Sequence, residues 1–287
     1  MMSLVNRSGS AWVQYVRSLE LAGAARFLEQ ASGRKLLEIG GADGFLAKQM
    51  SMLGFEVTSI DVAPKVPQHY PVQNGSVTNL EFPDGSFDVI FSSHVIAHIR
   101  DKAPAFREMK RVLTANGIGV HIVPSTWWSL VSNFWHFILL PGSVVKRLFR
   151  GKREQAIPGC ESPSQSDLAI PGADSGANEK PLQSKMNERV RQMLLHPLGE
   201  HPSFLHEIIF FSRWYWTRLF QQNGFSVLRI QGGPLLQSGY RLFPFRAVKS
   251  RRILARCMPS SLVLFTRPMR NLASGSENDG RDKTFVR

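Results

Sequence analysis

Short apolar runs alternate with stretches of helical periodicity over the first 125 residues. Trp12, Tyr15, Val16, Leu19, Ala22 and Phe27 recur at roughly helical spacing, which predicts a leading helix over Ala11–Ala31. Lys35–Ile39 is a short apolar strand, followed by a glycine turn and a helix over Phe45–Leu53 that Gly54 closes. Glu56–Ile60 makes a second strand. Phe87–Ser92, entered through the turn Pro83–Asp84–Gly85, reads as a buried strand. Asp101 is the expected N-cap of a helix to Leu113, with Phe106, Met109 and Leu113 inward and Asn116–Gly117 as its stop. Ile118–Val123 is the next strand. This alternation predicts βαβ units and a largely parallel sheet.

The pattern breaks after Pro124. Trp127–Leu140 is apolar and aromatic, Pro141–Gly142 interrupts it, and Ser143–Arg150 resumes with basic residues. Gly151–Pro181 is rich in Ser, Pro, Gly and Ala and reads as a linker or long loop. Helices are expected near Leu182–Leu195 and Ser212–Asn223, and strands at Phe225–Ile230 and Leu262–Thr266. The division that follows is a core with a leading helix over 1–126, an apolar helical insertion and linker over 127–211, completion of the core with a basic extended hairpin over 212–270, and a disordered tail over 271–287.

Composition narrows this picture. The 287 residues carry 43% hydrophobic and 20% charged side chains, enough for a sizeable globular core. Cys160 and Cys257 are far apart and fit no metal spacing, which suggests a reducing, cytoplasmic setting. The first residues lack a basic-then-apolar signal, so no secretory cleavage is expected. The net charge of +13 is unevenly placed: many acids fall in the first half, and bases concentrate in Lys146–Arg153 and Arg241–Arg256. A basic flank beside apolar residues favours an anionic surface or a phosphorylated ligand, with a merely solvated face as the alternative.

The candidate chemistry lies in LLEIGGADGFLAKQM. Gly40, Gly41, Ala42 and Gly44 separate a strand from a helix, where small residues allow close approach to a ligand and free N–H groups point outward. A dinucleotide site needs G-x-G-x-x-G. Here the pattern is G-x-A-x-G and Phe45 stands where the third glycine belongs, so a cradled pyrophosphate is disfavoured. Glu38 precedes the turn, and Asp61 ends the second strand, where a carboxylate suits ribose hydroxyls.

With LLEIGGADG, VTSIDVAP and LEFPDGSFDVIFSSHVIAHIRDKAPAFREMKRVLTANGIGVHIVPS, and more weakly WTRLFQQNGFSVLRI, the chain resembles class I S-adenosylmethionine-dependent methyltransferases of the small-molecule type, similar to ubiquinone-biosynthesis enzymes. The resemblance covers residues about 35–125 and 212–231. It implies a Rossmann-like, doubly wound α/β fold: a mainly parallel seven-stranded sheet with the last strand antiparallel and, here, a helical insertion after strand five. By position, Glu38, Gly40, Gly41, Ala42 and Gly44 would surround the methionine part of the cofactor. Asp61 would bind the ribose, Val62, Ser76 and Val77 would sit by the adenine, and Ser92, Ser93 and His94 would line the cofactor after strand four. Two departures stand out. Ala42 replaces the middle glycine, which requires a negative φ there, and Ser76 stands where an acid commonly accepts the adenine amino group.

Methyl transfer from a sulfonium is mainly a matter of alignment. For a hydroxyl or enolisable-carbon acceptor a general base helps, and the resemblance points to His98, with His94 as neighbour; either could instead cap a helix or pack in the core. His196, His201 and His206 lie at five-residue steps without zinc-type spacing, so no metal site is expected. The fourteen residues Trp127–Leu140 are too few for a bilayer span of about twenty. They suit an interfacial helix or a lid over an apolar pocket, and either favours a hydrophobic or lipid-linked acceptor, with peripheral contact to the inner membrane face. A second basic cluster (Arg246, Lys249, Arg251, Arg252 and Arg256) extends the last hairpin. A non-catalytic binding module in a biosynthetic complex is the alternative. A nucleic-acid substrate is disfavoured, because SSHVIAH stands where an Asn/Asp-Pro-Pro-aromatic motif belongs.

Overall fold

In the computed structural model the residues described are 2–134, 204–237 and 247–269. They form helix α1 (Met2–Leu28), strand β1 (Lys35–Ile39), α2 (Phe45–Met52), β2 (Glu56–Asp61), β3 (Val72–Asn74), β4 (Phe87–Ser93), a 3-10 turn (Ile96–His98), α3 (Lys102–Val112) and β5 (Leu113–Pro124). Helix α4 (126–134), α5 (Phe204–Phe210), α6 (Arg213–Gln222), β6 (Phe225–Gly232), α7 (Val248–Leu254) and β7 (Ser261–Pro268) complete them.

The seven strands form one sheet in the order β3-β2-β1-β4-β5-β7-β6. β1 pairs in parallel with β2 and β4, and β7 runs antiparallel to both β5 and β6. The strand order reverses beside β1, so the loops after β1 and β4 leave the sheet in opposite directions. A crevice opens there at the carboxyl ends of the strands. This is the Rossmann-like, doubly wound sheet that the resemblance implies.

Alternation along the strands explains why both sheet faces are apolar. Leu36 of β1 and Val89 and Phe91 of β4 pack with Leu21, Ala24, Leu46 and Met50 of α1 and α2. Leu37, Ile39 and Ile90 point the other way, into Phe106, Met109, Trp216 and Phe220 of α3 and α6. The Trp216 indole donates to the Pro124 carbonyl at 3.1 Å, fixing α6 to the end of β5.

Several boundaries differ from the sequence expectation. α3 ends at Val112 and the strand begins at once at Leu113, so Asn116–Gly117 lies inside β5 rather than stopping a helix. Phe87 pairs with Leu113 and Val89 with Ile118, so the extra residues bulge from the ladder between them. Asp101 occupies the N-cap position of α3 without a side-chain capping bond. Ala22 is exposed, because Leu21, Ala24 and Leu28 form the face of α1 that meets the sheet. β3 and α7 were not expected from the sequence. Residues 135–150, the linker Gly151–Pro181, the helix Leu182–Leu195 and the tail from 271 lie outside the described residues, as do His196, His201 and Arg246.

β4 and β5 share an uncommon pair. Ser92 and His121 are register partners, and the Ser92 hydroxyl lies 2.9 Å from His121 Nδ1. His121 is 1% exposed, its ring rests on Phe220 at 4.8 Å, and its Nε2 has no hydrogen-bond partner among the described residues. Burial pushes its pKa down to about 3. The unfolded ring titrates near its ordinary value of 6.5, so the native state resists a proton that the unfolded state accepts. His121 therefore gives full stability above pH 6.5, and this is lost as pH falls toward 3. The slope is about 1.4 kcal/mol per pH unit. Urea unfolding at pH 7 and pH 5 should show wild type losing about 2 kcal/mol relative to a Ser92→Ala/His121→Leu double variant. Parallel pH dependence of the two proteins would remove His121 as the cause.

Candidate functional site: a cofactor crevice at the strand-order reversal

The loop after β1 turns sharply across the end of β2. The Gly40 and Gly41 N–H groups both donate to the Ile60 carbonyl, at 2.8 and 3.0 Å. Gly40 has φ +80°, and a Cβ there would strike the Val95 side chain. At Gly41 a Cβ would strike the Ser59 hydroxyl and, at 2.8 Å, Glu38 Oε2, so only a bare backbone passes over that pair. The turn ends at Gly44, which caps α2 in a left-handed conformation.

Ala42 corrects the expectation of a negative φ: it sits at +50°. The left-handed conformation costs a non-glycine residue about 1–2 kcal/mol. Compensation is visible on both sides of the residue. The Ala42 N–H donates to Asp61 Oδ2 at 2.9 Å, and its carbonyl accepts from the Lys65 N–H at 2.9 Å.

Asp61 ties the two loops together. Its other oxygen, Oδ1, accepts the Ala63 N–H at 2.8 Å. A carboxylate has about four acceptor sites. Two backbone bonds therefore leave capacity for a pair of hydroxyls.

Glu38 lies 2% exposed beneath the turn and accepts the Ser59 hydroxyl at 2.6 Å. Burial is the main cause that pushes its pKa up to about 7, against the Ser59 bond and helped by Asp43 and Asp61. A cation placed beside it would favour the ionised form.

Two cavities meet at Gly40. One, of about 310 Å³, is lined by Asp61, Val62, Ser76, Val77, His94 and His98, among others. Val62 is 72% exposed, an apolar side chain open at the cavity edge. The Ser76 hydroxyl lies 2.8 Å from that of Thr78 and accepts the Thr78 N–H at 3.3 Å, so its acceptor capacity is partly used locally. The other cavity, of about 470 Å³, runs between the glycine turn and α1 and is lined by Glu38, Gly40, Gly41, Ala42 and Ser93 with Gln14 and Arg17.

Most of the residues expected at a cofactor therefore come together at these two cavities. Ser92 and Gly44 line neither. Alternation turns Ser92 toward His121 inside the sheet, while Ser93 turns toward α1. His98 is exposed, on the same cavity as Asp61 and Ser76 and away from Glu38.

The sequence reading missed the contribution of α1. Arg17 Nη1 donates to Ser93 Oγ at 2.9 Å and to Glu20 Oε2 at 3.0 Å. Glu20, 1% exposed, also accepts the Ser261 hydroxyl at 2.6 Å and lies 3.4 Å from His94 Nε2. Burial alone would raise its pKa. The His94 ring, the Arg17 guanidinium and the Ser261 hydroxyl outweigh burial and hold Glu20 below the usual carboxylate range. His94, at φ +58°, has its own pKa lowered by burial and by Arg17, while the Glu20 carboxylate works against that shift. The available signal was a charged i,i+3 pair set within the apolar face of a helix.

A sheet of this order, with a glycine turn over β1 and an acid ending β2, defines a Rossmann-like domain for a nucleoside-bearing cofactor. Residues 37–120 match the methyltransferase domain family. That span, from β1 into β5, is thus similar to a methyltransferase domain. The chain is 34% identical over 95 residues to an uncharacterized methyltransferase of Mycobacterium sp. strain KMS, covering 31% of this chain and 38% of that protein. It is 33% identical over 114 residues to a 2-methyl-6-phytyl-1,4-hydroquinone methyltransferase of Synechocystis, covering 34% and 33%. The chain spans well under half the length of these relatives. A crystal structure of an S-adenosylmethionine-dependent methyltransferase from Mesorhizobium loti aligns with 85% of this chain and 96% of its own, at 14% identity and a TM-score of 0.44.

The strained turn generates a stability test. Replacing Ala42 by Gly removes the left-handed penalty and adds about 0.4–1 kcal/mol of unfolded-chain freedom. Ala42→Gly should stabilise by about 0.5–1 kcal/mol in urea unfolding. Destabilisation would show that the turn has another conformation.

Proposed function

We propose that the protein transfers the methyl group of S-adenosylmethionine to an apolar or lipid-linked small molecule. The observation that carries the cofactor side is the junction of the two cavities at Gly40. One offers Asp61 to ribose hydroxyls and Val62, Ser76 and Val77 to an adenine. The other offers Glu38 and the turn to an amino-acid end. In this reading the protein binds and aligns, and the sulfonium supplies the reactivity. His98 is the proposed proton acceptor when the acceptor group is a hydroxyl or an enolisable carbon, and its place beside Asp61 makes it a neighbour of the nucleoside as well.

Two observations support an apolar acceptor. Trp127 and Phe134 on α4 and Ile209 and Trp214 near α5 and α6 are exposed large hydrophobics on the segments that bracket 135–203. One relative is named for a phytyl-bearing hydroquinone. No helix among the described residues is long and apolar enough to cross a membrane. Peripheral contact has support from α7 and the turn after it, where exposed Lys249, Arg252 and Arg256 accompany Ile253 and Leu254 at 63% and 45% exposure. Cations beside exposed aliphatic side chains suit an anionic bilayer surface. Arg251 of the same cluster is turned inward, with its guanidinium 4.6 Å from the Trp12 ring centroid and its Nε donating to the Leu236 carbonyl.

Calorimetric titration tests the cofactor assignment. S-adenosylhomocysteine should bind wild type, and Asp61→Asn should weaken it about tenfold or more, the loss of charge-assisted bonds to hydroxyls. Absent binding to wild type would overturn the reading. Sedimentation tests the surface: the protein should pellet with phosphatidylglycerol vesicles at low salt and be released by salt, and Lys249→Glu/Arg252→Glu should pellet less. Equal pelleting of the variant would exclude α7 as the contact.

A further inference from the structure

Helix α7 has seven residues. An isolated helix needs about 12–15 to persist in water, so the order of α7 comes from what it touches. Val248, Arg251 and Ala255 recur at i, i+3 and i+7 and share one face. Val248 packs against the buried cluster of Trp12, Val16 and Leu235. The Arg251 guanidinium lies 4.6 Å from the Trp12 ring centroid, and its Nε donates to the Leu236 carbonyl at 2.8 Å. The Leu236 N–H donates in return to the Arg251 carbonyl at 3.2 Å. Ala255, just past the helix, is buried, whereas no residue within α7 is. Arg251 is thus the clamp between α7, the loop at Leu236 and α1.

α1 stands between α7 and the cofactor crevice. Trp12 and Val16 belong to the cluster that meets α7, while Val13, Gln14 and Arg17 line the larger cavity opposite the glycine turn. The ring under Arg251 is one position along the helix from a cavity-lining side chain. A shift of α1 at Trp12 therefore moves the cavity wall with it.

The outer face of α7 has a different character. Ile253 and Leu254 are exposed beside exposed Lys249 and Arg252, and Arg256 follows in the next turn. On an anionic bilayer the two aliphatic side chains enter the headgroup–acyl boundary and the cations meet lipid phosphates. Unpaired backbone groups are costly at that depth, so the helical form of α7 is the one that docks. Docking on the outer face and clamping on the inner face favour the same ordered segment.

We propose that an anionic membrane surface tightens cofactor binding by ordering α7, with Arg251 as the positioning residue that passes the constraint through Trp12 to the α1 wall. This coupling rests on the S-adenosylmethionine and membrane-surface readings above and adds a regulatory link between them. Two ligands that favour one ordered segment bind cooperatively without a large change of shape.

S-adenosylhomocysteine is the probe, because its opposite charges cancel and an anionic surface does not concentrate it. It is titrated calorimetrically into the full chain with phosphatidylglycerol vesicles and, separately, with phosphatidylcholine vesicles, at low salt. Wild type should bind it about 5–10-fold more tightly with phosphatidylglycerol. Arg251→Met should still pellet with those vesicles, since Arg251 faces inward, yet show a ratio of about one. Trp12→Phe keeps a ring but offers the guanidinium a poorer face, and its ratio should fall between the two. By reciprocity, S-adenosylhomocysteine should strengthen the pelleting of wild type by the same factor. Equal or weaker affinity with phosphatidylglycerol, in a wild type that pellets, overturns the coupling and leaves the membrane reading standing. An undiminished ratio in Arg251→Met also overturns it; should that variant not fold, an undiminished ratio in Trp12→Phe does so. Wild type that fails to pellet removes the membrane reading, and wild type that binds no S-adenosylhomocysteine removes the cofactor reading. Either result takes the coupling with it.

Discussion

The crevice depends on one carboxylate. β1 and β2 are parallel neighbours whose loops leave the same end of the sheet, and Asp61 accepts one N–H from each loop, at Ala42 and Ala63. The bond to Ala42 opposes a left-handed strain that a glycine would not have, so the turn keeps its shape through Asp61 and not through backbone freedom alone. The loop beyond β2 then folds back over the turn, with the Lys65 and His69 N–H groups on the Ala42 and Asp43 carbonyls. Both cavities inherit their shared wall from this arrangement.

The outer wall is helical and is built on a buried charge. A lone carboxylate in the core would cost several kcal/mol. Glu20 avoids that cost by meeting Arg17, Ser261 and His94, which belong to α1, β7 and the loop after β4. That network stitches the leading helix to the rim of the crevice. It also leaves an oriented guanidinium facing the turn. The two walls carry opposite chemistry, and their spacing admits a ligand with one end of each sign.

Much of this was legible from residue pattern. Strands with apolar side chains on both faces, the glycine turn and the acid at Asp61 all have local signatures. Long-range partnerships do not. Glu20 looks like a solvated helix acid until Ser261, 241 positions away, is brought beside it. The φ of Ala42 depends on a bond to a residue in another strand. β3 is three residues long with only Val72 buried, too short to show a period. α7 was hidden because Ile253 and Leu254 do not face the core, so a basic stretch read as a hairpin. Ser92 was assigned to the cofactor by position, whereas the two-residue period of β4 directs it to His121.

In the proposed complex a single ligand spans both cavities, nucleoside against Asp61 and Ser76, amino-acid end between Glu38 and α1. A crystal structure of the protein with S-adenosylhomocysteine tests this most directly. The ribose hydroxyls should lie within hydrogen-bonding distance of Asp61 and the sulfur near Gly40, where the cavities join. A ligand seated with its amino-acid end against Ser76, or bound away from the glycine turn, would contradict this placement.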